Sequence, residues 1–304
     1  MIDIRVPAST SNLGSGFDVL GLALKLYLRV TAESAEKTTI ETSGEGSDEL
    51  PAGPDNLIWR VAQFVADKED VRLPAIKLKL ENQIPVSRGL GSSAAAIVAG
   101  IKLFEAISKR SLGTEQELFY ALEFEPHADN LGPALLGGLV INCVSSDRQA
   151  ITLKLDWPSQ IKVIVVVPDM QLSTAAARAV LPARIDRSNA IFNLQRVAMF
   201  VAALQQGRVD LIREATRDRL HQPAREPLIS GLAEALNLPH IEGFYGATLS
   251  GAGPTILALV DSNLSGIDEK IGSLIVDGFR RHGIKSKALS LEIDSDGCIV
   301  EGSL

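Results

Sequence analysis

The chain is poor in the features that would stiffen a small secreted fold. Of its 304 residues only two are cysteine, Cys143 and Cys298, far apart and without ligand spacing around them. That excludes a disulfide framework and a thiolate metal site, and predicts free thiols in a reducing compartment. Aromatic residues make up only 5%, so Ala, Val, Ile and Leu must fill the core. No apolar run reaches the roughly 20 residues of a membrane span. The longest, Val163-Ile164-Val165-Val166-Val167, has strand length and stops at Pro168. The opening Met1-Ile2-Asp3-Ile4-Arg5 reads as a strand and not as a secretory leader, so a cytoplasmic location is expected. Excess positive charge is missing too. The formal net charge is −7 and the cations are scattered; the tightest cluster, Arg280-Arg281-His282, reads as the solvated end of a helix. Neither nucleic acid, which requires a basic surface, nor a membrane is expected as a partner.

What remains is the composition of a soluble enzyme with a full core: 46% hydrophobic and 22% charged. The length suits two domains of about 150 residues, and the expected division is 1–156 and 157–304. In the first half, strand-like segments at 2–6, 20–32, 39–42 and 76–80 alternate with helical spacing at 56–68, 92–109 and 114–123. Thr114 with Glu117 three residues on suggests a capping box for the last of these. A polar segment at 125–130 leads to Gly137-Gly138 and a strand ending at Val144; a domain junction is expected at 145–147 or at Trp157-Pro158. In the second half, a buried strand at 162–167 precedes helices at 173–180, 186–206, 209–216 and 228–238. Strands at 247–249 and 255–260, a helix at 267–282 and a strand at 286–293 follow. The mixed order predicts an α+β fold, not an alternating doubly wound sheet.

The segment with the most chemistry is Pro85-Val86-Ser87-Arg88-Gly89-Leu90-Gly91-Ser92-Ser93-Ala94-Ala95-Ala96, set between a strand and a buried helix. A glycine turn there leaves backbone N–H groups free and aims a positive helix end at its occupant. Gly89 and Gly91 permit the close approach and positive φ that a phosphate-wrapping backbone needs. Ser92 and Ser93 offer hydroxyls to cap the helix or to reach a phosphate-bound metal. The blander reading is an ordinary serine-capped junction. The segment is neither a Walker loop, which requires Gly-Lys-Ser/Thr, nor a dinucleotide fingerprint, which requires a third glycine.

Across all twelve residues it resembles the Pro-x-x-x-Gly-Leu-Gly-Ser-Ser-Ala-Ala segment of the GHMP kinases, small-molecule kinases named for galactose, homoserine, mevalonate and phosphomevalonate. Within that family, Pro7-Ala8-Ser9-Thr10-Ser11-Asn12-Leu13-Gly14-Ser15-Gly16-Phe17-Asp18 is similar to the N-terminal segment of homoserine kinases. So are Glu125-Pro126-His127-Ala128-Asp129-Asn130, Thr174-Ala175-Ala176-Ala177-Arg178 with Leu181-Pro182, and the glycine turn Ser250-Gly251-Ala252-Gly253-Pro254. The Gly-Glu-His element of the sugar and mevalonate kinases is missing.

The resemblance implies an N-terminal ribosomal-S5-domain-2-like domain and a C-terminal ferredoxin-like domain. It also implies phosphorylation of the L-homoserine hydroxyl to O-phospho-L-homoserine, with ATP and Mg²⁺ and without a strong catalytic base, on the way to threonine. Residues Pro85 to Ala95 would hold the nucleotide, and Ser93 and Glu125 would ligate Mg²⁺, with Ser92 and Glu123 as substitutes if the register shifts. Pro126 stands where Gly is usual and restricts the backbone beside Glu125. Asn130 and Thr174 join Ser93 and Glu125 as catalytic candidates, and His127 would touch substrate or shape its loop. A zwitterion needs an anion for its ammonium and a fork for its carboxylate: Asp18 for the first, Arg178 and Arg225 for the second. Asn12 and Asn130 would meet the hydroxyl. The resemblance admits a homodimer. A GHMP kinase for another alcohol, which would show a catalytic Lys and an Asp in place of Asn130, and a silent small-molecule sensor are the competing readings.

Overall fold

A computed structural model describes residues 1–303. The first half is built on β1 (Ile2–Ser11) and β2 (Leu20–Ser34), an antiparallel pair in which the 15-residue β2 serves three neighbours. Its Leu28–Ser34 end pairs with β4 (Ile76–Asn82), and its Leu20–Leu22 end with β5 (Leu139–Val144). The register shift between Pro7 and Ala8 separates the two ends, at a residue that has no N–H to donate. β3 (Thr39–Gly44) adds a parallel edge to β4, and β6 (Ala150–Leu155) forms a hairpin with β5. In β4, Ile76, Leu78 and Leu80 point inward while Lys77 and Lys79 point away, the period of two that a half-buried strand requires.

Three helices cover this sheet: α1 (Leu57–Lys68), α2 (Ser92–Ser108) and α4 (Ala128–Leu136). α3 (Thr114–Ala121) lies beside them. α1 and α2 cross closely because Gly100 has no side chain; a Cβ there would fall 2.6 Å from the Ile58 carbonyl oxygen. α4 occupies part of the segment read as polar loop. Its Pro133 leaves the Asp129 carbonyl without a helical donor. That carbonyl sits against Gly21 of β2, where a Cβ would be 1.7 Å from the oxygen. The glycine therefore lets α4 rest directly on the strand and fixes the direction of its first turn.

The second sheet has the order β10 (Ser286–Leu291), β7 (Ile161–Pro168), β9 (Ile256–Asp261), β8 (Phe244–Leu249), all antiparallel. β7 feeds two cores at once. Val163, Val165 and Val167 pack with Phe200, Leu204 and Ile212 and merge with the first core. Ile164 and Val166 pack with Ile271, Ile275 and Phe279 of α10 (Ile267–Arg281). The remaining helices are α5 (Thr174–Ala179), α6 (Arg187–Gln206), α7 (Ile212–Ala215), α8 (Gln222–Arg225) and α9 (Leu232–Leu236).

The two-sheet α+β organisation is as expected, but several details differ. The capping box does not form: α3 starts at Gly113, and the buried Glu117 turns to Lys102 Nζ at 2.7 Å. Residues 145–147 make the β5–β6 hairpin turn, closed by Arg148 N–H to the Ser145 carbonyl. The division at 156/157 falls between β6 and β7, yet the chain end returns to the first sheet. β11 (Ile299–Gly302) pairs with β1, and the Asp294 N–H donates to the Ala23 carbonyl of β2. Residues 228–238 hold only the short α9, since Gly231 at φ +88° starts a new turn. Among the described residues, no helix is long and apolar enough to cross a membrane.

Candidate active site

Two glycine turns meet where the sheets adjoin. Residues 85–91 leave β4 and enter α2, with positive φ at Ser87, Gly89 and Gly91. The Gly89 carbonyl accepts from Ser250 Oγ at 2.6 Å, the Ser9 N–H donates to the Leu90 carbonyl, and the Gly251 N–H donates to the Ser11 carbonyl. A Cβ on Gly91 would lie 2.1 Å from Ser9 Oγ, and one on Gly89 2.3 Å from the Ser250 carbonyl oxygen. The close approach that the sequence reserves for phosphate is thus also demanded by the protein's own neighbours. Ser92 and Ser93 do not cap: α2 begins on Gly91 with no side-chain cap bond. Its first backbone N–H groups therefore remain available at the cavity.

The cavity, about 360 Å³, runs past this loop. Residues 85–94 line it; Ala95, expected among them, is instead fully buried in the core. One end is walled by Thr42, Leu50, Pro51 and Asn56, which carry no motif and escaped the sequence reading. The local cause is two asparagines. Asn56 donates to the Pro51 carbonyl and accepts from the Ile58 N–H, capping α1. Asn82 donates to the Glu45 and Ile84 carbonyls and accepts from the Ile84 N–H. Between them they pin the connection from β3 to α1. A helix N-cap at Asn56 is the one signal that could have placed this wall.

At the other end stand Glu125, His127, Asp129, Asn130, Thr174, Arg178 and Arg225. Glu125 Oε1 lies 2.6 Å from His127 Nδ1, which leaves Oε2 without a partner among the described residues. Glu123 is on the surface, 3.2 Å from Arg148 Nη1. Asn130 accepts from Ser9 Oγ and donates to Ser11 Oγ at 2.9 Å. Thr174 opens α5 behind Ser173, whose Oγ accepts from the Ala176 N–H. Asp129 was not singled out in the sequence and is the most perturbed acid here. Burial, seconded by the charge of Asp18, pushes its carboxyl up to about 6, against a hydrogen bond from Ser11. The signal in the sequence was an acid directly beside Asn130.

The residues expected to hold a zwitterion largely hold one another and nearby carbonyls. Asp18 is not on the cavity wall: Arg178 holds it bidentately, Nη2 to Oδ1 at 2.6 Å and Nη1 to Oδ2 at 3.2 Å. Asn12, at φ +72°, is committed to the protein. Its Nδ2 donates to the Gly251 carbonyl and its Oδ1 accepts from the Asp18 N–H. Arg225 is 1% exposed. Its Nε donates to the Ala177 carbonyl and its Nη1 to the Gly251 carbonyl, while Nη2 keeps no partner among the described residues. Burial and the like charge of Arg178 lower its proton affinity to a pKa of about 10, so it remains a cation at neutral pH.

Known proteins resemble this chain along its length. Residues 56–138 match the family described as GHMP kinases N terminal domain, and residues 200–269 match GHMP kinases C terminal. The homoserine kinase of Desulfitobacterium hafniense is 40% identical over 300 residues, 99% of this chain and 100% of that protein. That of Aquifex aeolicus is 41% identical over 298 residues, 98% of each. The crystal structure of homoserine kinase from Cytophaga hutchinsonii superposes with a TM-score of 0.86 at 29% identity, covering 99% of this chain and 97% of that one. Lactococcus lactis galactokinase, at 14% identity and a TM-score of 0.68, shares the fold. With both parts of the family matched in order and relatives aligned along its whole length, the chain belongs to the homoserine kinases of the GHMP kinase family.

Proposed function

We propose that this cavity takes ATP along residues 85–93 and L-homoserine at the Arg178–Arg225 end, and transfers the γ-phosphoryl group to the homoserine hydroxyl. The product is O-phospho-L-homoserine, an intermediate on the way to threonine. The observation that carries the reading is that one cavity holds both the glycine phosphate loop and a buried arginine with an unpartnered Nη2. A guanidinium edge is suited to a carboxylate.

The acceptor end fits a zwitterion by exchange. Asp18 and Arg178 satisfy each other in the free protein. An incoming ammonium takes the place of Arg178 at Asp18, and an incoming carboxylate takes the place of Asp18 at Arg178, so no charge is left unpaired. The ammonium also relieves the repulsion between Asp18 and Asp129, which is one cause of the raised carboxyl of Asp129.

Mg²⁺ fits the residues present. The free Oε2 of Glu125 and the hydroxyl of Ser93 face the same cavity and are hard oxygen donors. Among the described residues no group of three His, Cys, Asp or Glu gathers to hold a metal. A cation bound chiefly by phosphate and water, with one or two protein oxygens, matches that set. When bound, it neutralises charge on the transferring phosphoryl group. His127 orients Glu125 through the 2.6 Å contact.

No strong base is required, because a loose transition state demands little prior deprotonation of the nucleophile. Asn130 is not a base; Ser9 and Ser11 hold its amide so that it can orient the hydroxyl. A coupled ADP-release assay over homoserine, mevalonate, galactose and serine tests the reading. Homoserine should be the productive acceptor; ADP from another alcohol, with none from homoserine, would overturn it.

A further inference from the structure

Behind the cavity lies a buried imidazole to which the phosphoryl-transfer reading gives no part. His221 is 0% exposed and directly precedes α8. Its Nδ1 lies 3.2 Å from Arg225 Nη1, and its Nε2 lies 2.9 Å from the Gly14 carbonyl oxygen. A guanidinium can only donate and a carbonyl can only accept. Both contacts are therefore satisfied by a single form of the ring, neutral, with its proton on Nε2. The nearby carboxylate does not compete for that proton. Asp218 Oδ2, 3.6 Å from Nε2, already accepts from the N–H groups of His221 and Gln222, and Oδ1 accepts from the Leu220 N–H.

The ring also stacks on Phe17, centroids 4.9 Å apart at 19°. The guanidinium carbons of Arg178 and Arg225 sit 5.5 and 5.6 Å from the Phe17 centroid. One aromatic from the β1–β2 turn thus touches the imidazole and approaches both arginines.

We propose that His221 is a positioning residue for the acceptor substrate: by accepting from Arg225 and donating to Gly14, it aims the free edge of Arg225 at the substrate carboxylate and locks that edge to the turn bearing Phe17 and Asp18. The inference rests on the reading of this end as the homoserine site. Burial and the charge of Arg225 keep the ring neutral, against the opposite pull of Asp218 and Asp18. A proton on Nδ1 would set two donors face to face and release the guanidinium.

The test pairs two amides that mimic one ring nitrogen each. His221→Asn places an oxygen near Nδ1 and keeps an acceptor for Arg225. His221→Gln reaches toward Nε2 and leaves Arg225 without one. His221→Gln should raise KM for homoserine about tenfold or more, with kcat and the KM for ATP within about twofold, as expected for loss of aim at a charged contact. His221→Asn should restore most of that loss. In the wild-type protein labelled with ¹⁵N-histidine, the resonances absent from His221→Asn should show a bare Nδ1 and a protonated Nε2. A ring protonated at Nδ1 would overturn the inference whatever the kinetics. Equal homoserine KM values in wild type and His221→Gln, or parallel losses of kcat and ATP affinity in both variants, would also overturn it. Those results leave the kinase reading standing; a wild-type enzyme that does not turn over homoserine would remove both.

Discussion

The two ends of the cavity are held by opposite means. The phosphate loop is fixed chiefly by backbone: glycines at positive φ, carbonyls and N–H groups shared with residues 9–11 and 250–251, and no room for a Cβ, with the Ser250 hydroxyl adding one bond to the Gly89 carbonyl. The acceptor end is fixed by side chains that spend most of their capacity on one another and on carbonyls: Arg178 on Asp18, Arg225 on Ala177 and Gly251, Asn12 on Gly251. A backbone cradle cannot be re-tuned one atom at a time, so its sequence is rigid and readable. A side-chain network keeps its residue types while its partners depend on the fold. The Gly251 carbonyl joins the two, since it accepts from both Asn12 and Arg225 at 2.9 Å.

The sharpest way to break the contrast is at Gly91. Gly91→Ala would put a methyl group 2.1 Å from Ser9 Oγ at φ +71°. Backbone strain alone is worth about 1–3 kcal/mol, and moving the loop also misaims its N–H groups. ATP affinity measured by calorimetry should fall on the order of 100-fold, with a lower melting temperature. Gly91→Ala at wild-type affinity would mean that the cradle is not rigid.

At the other end the two arginines should separate. Arg225→Ala leaves the Ala177 carbonyl without its buried donor and the Gly251 carbonyl with Asn12 alone, and should cost about 2–4 kcal/mol of stability. It should also raise KM for homoserine. Arg178→Ala should raise that KM by roughly 10- to 150-fold, through loss of a contact of about 1.5–3 kcal/mol. Its stability should hardly change, because its pair with Asp18 is about one third exposed and solvent-screened. Steady-state kinetics beside thermal melts would show whether recognition and folding divide this way.

Much of this was legible. The glycine turns, Asn130, Arg178 and Arg225 stand in segments whose residue types already name their chemistry, and all face one cavity. The wall at Thr42, Leu50 and Pro51 was not legible, because it is shaped by asparagine bonds to carbonyls that no local pattern reports. The bidentate lock between Asp18 and Arg178 joins residues 160 positions apart, and it depends on the docking of the 12–18 turn by long-range bonds such as Ser15 Oγ to the Ala215 carbonyl and Asn193 Nδ2 to the Ser15 carbonyl. β11 was missed because four residues at a chain end carry too little period to read. Asp129 was passed over because residues 125–130 read as a polar segment, in which an acid is ordinarily exposed.

Asp129 offers an intermediate test. Its carboxyl is raised from 3.8 to about 6 in the folded chain, chiefly by burial. The folded state then binds the proton more tightly than the unfolded state. The associated stability is complete below pH 3.8 and is lost as pH rises through about 6. Asp129→Asn removes that loss and should stabilise the protein above pH 6 by up to about 3 kcal/mol, seen as a higher urea midpoint at pH 8 and little change near pH 4. Homoserine turnover should fall, since the ammonium loses one of its two facing carboxylates. A variant less stable than wild type at pH 8 would mean that the acid is held by contacts stronger than its burial.

The smallest expected effect bears on the claim that the start of α2 is held by backbone alone. Ser92 stands where a cap hydroxyl would be expected, and loss of a true serine cap costs about 1 kcal/mol. Here α2 starts from Gly91 with no side-chain cap bond among the described residues. Ser92→Ala should therefore shift the stability of the nucleotide-free protein by no more than about 0.5 kcal/mol. Nucleotide-free urea denaturation is the measurement, because bound ATP would stabilise the fold by mass action and mask a change of this size. Ser93→Ala is the internal control: its stability should be equally unmoved, while its Mg²⁺ requirement for turnover rises. A loss of 1 kcal/mol or more in Ser92→Ala would show a hydroxyl bracing the helix start, and the division between a backbone-held cradle and a side-chain-held acceptor site would no longer stand.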